Sequence, residues 1–148
     1  SLEANPSVIA AVLASGERDI NEIAKKVAAL NDIVSNDAFK EQFSTFKRVA
    51  NISKDVDLDS NLSIDISLFK EEAEVVLYTA YEKVINQNYN DYKTQLDSLF
   101  GLKRELDGYF DDVMVNADDE ALKINRLHTI GSVYKTFRNI ADIKEITV

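Results

Sequence analysis

Apolar residues recur three and four positions apart through most of this chain, and that spacing constrains its fold more than any other feature. Ile23, Val27, Leu30 and Val34 form one such series, and Phe39, Phe43, Phe46, Val49 and Ala50 form a second. Ala73, Val76, Leu77, Ala80, Tyr81, Val84 and Ile85 form a third. With about 3.6 residues to a turn, each series lines one side of a helix and needs a core to bury it. Four glycines and one proline leave too few turn residues for a many-stranded sheet protein. The expected fold is an all-α bundle of five to seven helices. At 148 residues the chain reads as one domain, 1–148. A domain of that size buries roughly 68–70% of its unfolded surface, so it needs no covalent staples, and it contains no cysteine.

Local signals divide the chain. Pro6 opens a short helix to Ala14, and Ser15-Gly16 closes it. Asp19-Ile20-Asn21-Glu22 is a capping-box pattern with Asp19 as the cap. Residues 53–67 alternate with period two, the habit of a half-buried strand. Standing alone between helical series, they read as an extended connection with at most a short hairpin. Ser67 is expected to cap the next helix, with Glu71, Glu72 and Glu74 facing the positive end of its dipole. Asn86 to Asn90 breaks that helix, and Leu96, Leu99 and Phe100 belong to the following one. A short helix over 107–115 and a last one ending near Ile140 complete the pattern. The chain opens without methionine, so it reads as a piece of something longer, with residues 1–5 disordered or vector-derived.

The chemistry inventory excludes much. A single histidine and no cysteine rule out the two-histidine and thiolate metal motifs. Four aspartates at 55, 57, 59 and 65 lack the central glycine and closing glutamate of a calcium loop. His128 falls opposite the apolar arc of its helix with no partner the sequence can name. The Asp111-Asp112 and Asp118-Asp119 pairs point about 100° apart on a helix and do not converge. No catalytic residue and no metal ligand is therefore expected. No apolar run approaches the roughly 18 residues that cross a bilayer. With no cysteine and no targeting segment, a cytoplasmic location without membrane contact is expected.

The net charge of −9 is localised. Residues 55–117 hold fourteen acids and five bases, while the two flanks are balanced. Two windows are locally basic: 40–54, with Lys47 and Arg48, and 120–140, with Lys123, Arg126, Lys135 and Arg138. They read either as solvated helix faces or as a phosphate-contacting surface on an acidic body. If the surface exists, Lys47-Arg48 and the last helix should be neighbours. Arg126 stands apart, because it lies within the arc of Leu122, Ile130, Val133 and Phe137. A guanidinium there must be paired or must reach a partner. Either Asp111, Asp112 or Asp118 pairs with it in the interior, or it contacts nucleic acid at the bundle's edge.

Two stretches resemble a known family. Tyr109-Phe110-Asp111-Asp112-Val113-Met114-Val115, continuing through Asp118 to Asn125-Arg126-Leu127, is similar to the FFD-x-VMV-x-x-x-D-x-x-LR-x-NRL signature. That signature ends the β subunit of bacterial heterotetrameric glycyl-tRNA synthetase. Phe46 to Ile52 resembles the same subunit's KRV-x-NI segment. The resemblance covers most of residues 46–143 and implies a C-terminal anticodon-binding domain of the DALR type. The namesake tetrapeptide stands here as Glu120-Ala121-Leu122-Lys123. Both charges are kept, but lysine lacks arginine's planar fork.

The resemblance further implies a helical domain that reads glycine tRNA and has no active site or cofactor of its own. The whole enzyme attaches glycine to its tRNA with ATP and magnesium, and the catalytic residues belong to the α subunit. The implied partners are glycine tRNA, the α subunit and the rest of the β subunit. The tRNA contacts expected on this basis are Lys47, Arg48, Lys123, Arg126, Lys135 and Arg138. Two other readings stay open: a helical protein–protein interaction module, and the DALR domain of another aminoacyl-tRNA synthetase.

Overall fold

A computed structural model describes residues 5–148. Seven α-helices follow one another: α1 (Pro6–Ala14), α2 (Ile20–Val34), α3 (Phe39–Ser53), α4 (Glu72–Ile85), α5 (Tyr92–Phe100), α6 (Lys103–Asp112) and α7 (Glu120–Arg138). Two short 3-10 turns, Ile66–Leu68 and Ile143–Glu145, complete the set, and no strand occurs among the described residues. The expected all-α bundle is what forms.

Five phenylalanines hold α3, α5 and α7 together. Phe100 of α5 packs edge-on against Phe39 and Phe46 of α3 at centroid distances of 5.2 and 5.0 Å, and lies 4.9 Å from Phe137 of α7. Phe43 stacks on Phe39 at 5.0 Å. Each ring is essentially buried. Such pairs add about 0.5–1.5 kcal/mol beyond the area they remove from water. This cluster fixes α3 alongside α7, and the candidate site lies between those two helices.

The helix starts follow local chemistry. Asp19 accepts hydrogen bonds from the amides of Asn21 and Glu22. The reciprocal half of that box is absent, because the Asp19 amide is taken by Glu17 and the Glu22 carboxylate accepts from the Tyr92 hydroxyl. That bond pushes the Tyr92 phenol up to about 12. Ser67 does not cap α4, as the sequence suggested. It lies in the 3-10 turn, where the Asp65 side chain receives its amide. The α4 cap is Glu71, paired reciprocally with Glu74. The helix expected over 107–115 begins at Lys103 instead, with Gly108 inside it. Nothing crowds the open side of Gly108, so this glycine is simply tolerated at its ordinary cost of about 1 kcal/mol relative to alanine.

The connection over 54–71 is not the continuous extended segment expected: it turns through 54–60, runs irregularly to the 3-10 turn Ile66–Leu68, and contains no hairpin among the described residues. It runs antiparallel along α7. Val56 and Leu62 pack on Gly131, where a Cβ would stand 3.0 Å from Val56 Cγ1. His128 Nδ1 donates to Ser63 O at 2.8 Å. Asn125 accepts from the Asp65 amide at 2.7 Å and donates to its carbonyl at 3.0 Å. His128 is therefore half-buried and tied to the connection, rather than free in solvent as its wheel position suggested.

Of the residues expected to be disordered, 1–4 lie outside the described residues, and Asn5 is well placed. Its side chain caps α1 by accepting from the Ser7 amide, and its own amide donates to Asn31.

Candidate nucleic-acid interface

The α3–α7 contact brings the two basic windows together at one place. Arg48 of α3 and Lys123 of α7 line a single groove, with Ile52 and Asp55 at the end of α3 and Val113 to Asn116 before α7. The Arg48 guanidinium lies 4.4 Å over the ring of Phe110, a cation–π contact that holds the side chain at the groove wall. Met114 is the most exposed of the groove's apolar residues. Glu120 and Leu127 close the other side. Two cations can meet phosphates here, Met114 offers an apolar surface to a base, and Asn116 offers both donors and an acceptor to a base edge. Asp55 and Glu120 balance the two cations, so the groove itself is neutral.

The remaining expected residues are placed differently. Lys47 is exposed beside Arg48 but does not line the groove. Lys135 and Arg138 lie twelve and fifteen residues beyond Lys123, about 18 and 22 Å along the helix. The 54–71 connection lies along α7 from Gly131 through His128 to Asn125, the stretch between them and Lys123. Among the described residues none of these five cations has an ion-pair partner.

Arg126 must be removed from the exposed set. It is 6% exposed, and its partner is not an aspartate of the preceding turn but Glu74 of α4, itself 1% exposed. Arg126 Nε donates to Glu74 Oε1 at 3.1 Å, and Nη2 to Oε2 at 3.4 Å. Nη1 donates to the carbonyl of Met114 at 2.9 Å. The second carboxylate oxygen also accepts from the amides of Lys70 and Glu71, at 2.8 and 3.0 Å. Burial works against the Glu74 charge, but those two amides and the guanidinium outweigh it and hold the carboxyl below its ordinary 4.5. Sequence could not name this partner, because it lies 52 residues away. The one available signal was the Glu71–Glu74 spacing of a capping box.

The Met114 carbonyl connects the two sites. Arg126 grips the backbone of the same segment whose Met114 and Asn116 side chains face the groove. A buried pair thus fixes the floor of an exposed one.

The fold is a helical domain in which Arg48 and Lys123 line one groove. Among the described residues no group of three His, Asp or Glu could hold a metal ion, and no helix is long and apolar enough to cross a membrane. No family model matches the chain. It is 38% identical over 151 aligned residues to the glycine–tRNA ligase beta subunit of Helicobacter pylori, a match covering 99% of this chain and 22% of that protein. The protein of the same name from Clostridioides difficile is 35% identical over 144 residues, 94% of this chain and 20% of its own length. That from Dechloromonas aromatica is 32% identical over 142 residues, 93% of this chain and 20% of its own length. The chain therefore spans about a fifth of the length of the curated relatives it matches.

Proposed function

We propose that this chain is the tRNA-binding, anticodon-reading helical domain of a glycine–tRNA ligase β subunit. The observation that carries the reading is the shared groove of Arg48 and Lys123. The two residues come from the two segments whose sequences resemble that subunit, and both line this groove. Relatives named for the subunit match 93–99% of the chain and support the same assignment. The domain type is DALR, and the location is cytoplasmic. Arg48 and Lys123 engage phosphates of the anticodon arm, and the 113–116 segment meets bases. Lys47, Lys135 and Arg138 supply weaker long-range attraction. The whole enzyme joins glycine to its tRNA with ATP and magnesium, its chemistry residing in the α subunit, while this domain holds the tRNA.

A salt titration of binding to glycine tRNA and to an anticodon-swapped variant tests this. The logarithm of the affinity should fall linearly with log salt, and binding should favour the native anticodon. Binding that ignores salt and anticodon alike would assign the groove to a protein partner. In a second check, the chain mixed with glycine, ATP and tRNA should give no charging; charging without the α subunit would overturn the assignment.

A further inference from the structure

The two ends of the described chain meet at the amino end of α1. Asn5 Nδ2 donates to Thr147 O at 2.9 Å, and the Thr147 amide donates to Ser7 Oγ at 2.9 Å. Polypeptide continuing from either end therefore leaves from beside α1. That helix is chemically unlike the rest of the molecule. From Asn5 to Gly16 there is no charged residue, in a chain that is 29% charged. Val8, Ala11 and Val12 are fully buried, on the side that packs on α2 and the Ile143–Glu145 turn. Ile9, Ala10, Leu13 and Ala14 share the opposite face and are exposed, Ile9 at 40% and Leu13 at 45%. A helix apolar on all sides belongs in an interior.

We propose that the outer face of α1 is the seam on which the rest of the β subunit's own polypeptide docks. The proposal rests on reading this chain as one domain of a longer subunit, as the 22% coverage of the Helicobacter pylori relative suggests. The convergent ends select the occupant. A continuing chain is tethered within a few residues of the face, at an effective concentration in the millimolar range for a short linker. It fills the face ahead of a second copy or a separate subunit. The surface it presents is apolar and uncharged, since Ile9 and Leu13 offer nothing to a charge.

Hydrogen exchange tests the seam without using RNA. The amides of residues 10–14 should exchange roughly tenfold or more slowly in the intact subunit than in this chain alone. The double variant Ile9→Ser/Leu13→Ser should restore the faster rates in the intact subunit while leaving the isolated chain's melting temperature nearly unchanged. Val76→Ser, an exposed apolar residue on α4, is the matched control and should alter neither rate. Equal exchange in the two contexts overturns the proposal. So does concentration-dependent dimerisation of the isolated chain that Leu13→Ser abolishes, because it seats a second copy there. The length of the natural subunit on a denaturing gel tests the underlying reading separately from the seam.

Discussion

Lys123 and Arg126 sit three residues apart on α7, and the fold gives them opposite tasks. Lys123 opens onto a groove beside Arg48. Arg126 is buried against Glu74 and hydrogen-bonded to the Met114 carbonyl. Both carry a positive charge within one basic window, so charge counting treats them alike. What separates them is the element each faces: α3 and the approach to α7 for one, α4 for the other. A cation's role here is set by its neighbours, and those come from distant parts of the chain.

The largest expected difference between the two is in stability. Arg126→Ala strands the Glu74 carboxylate in the interior, at a cost of about 3–5 kcal/mol. Urea or thermal melts should show it directly, with loss of tRNA binding following from loss of the floor that Arg126 grips. Lys123→Ala should melt within about 0.5 kcal/mol of the parent, as partly exposed substitutions generally do. A stable Arg126→Ala protein that has lost only anticodon discrimination would reverse the comparison and make Arg126 a recognition residue.

A pH series sharpens the same contrast. The folded-state pKa of Glu74 lies below its ordinary 4.5. Its contribution to stability is therefore complete above that value and is lost as pH falls through the folded pKa. Arg126 stays charged throughout. Glu74→Gln should be less stable than the parent at neutral pH and should lose less on acidification, so the two curves of melting temperature against pH converge at the acid end. Parallel curves would show that the pair does not govern the acid limb.

The groove's own balance predicts a smaller effect of opposite sign. Asp55 shares the groove with Arg48 and Lys123. Asp55→Asn should tighten tRNA binding at low salt by about 1.4-fold to fivefold, in line with the roughly 0.2–1 kcal/mol of exposed charge pairs. Unchanged or weaker binding would mean that the RNA does not pass that carboxylate.

The helices were legible in the sequence because periodicity is local. Ile23 to Val34 and Phe39 to Val49 declare their buried faces within a few turns, and α1 begins and ends where Pro6 and Ser15-Gly16 place it. Ser67 misled because a serine before an acidic run has the look of a cap, while the Glu71–Glu74 pair three residues apart closes its own box. Gly101 and Gly108 hid the start of α6, since glycine lowers helix propensity without forbidding helix. The site was half legible. The resemblance marked both segments, and the buried angular position of Arg126 was visible on a helical wheel. The identity of its partner was not, because nothing local to α7 encodes a carboxylate 52 positions away. Nor did the sequence reveal that the 54–71 connection lies along α7 between Lys123 and Lys135.

Arg48 and Lys123 are proposed as the RNA-contacting pair. The salt dependence of glycine-tRNA binding by the Arg48→Ala/Lys123→Ala double variant tests it most directly, with Lys135→Ala measured alongside. Each lost phosphate contact removes about 0.7–0.9 from the log–log slope. The double variant should lose about twice that while melting like the parent, and Lys135→Ala should change the slope by less than one contact. A double variant with the parent's slope and an intact fold would contradict it.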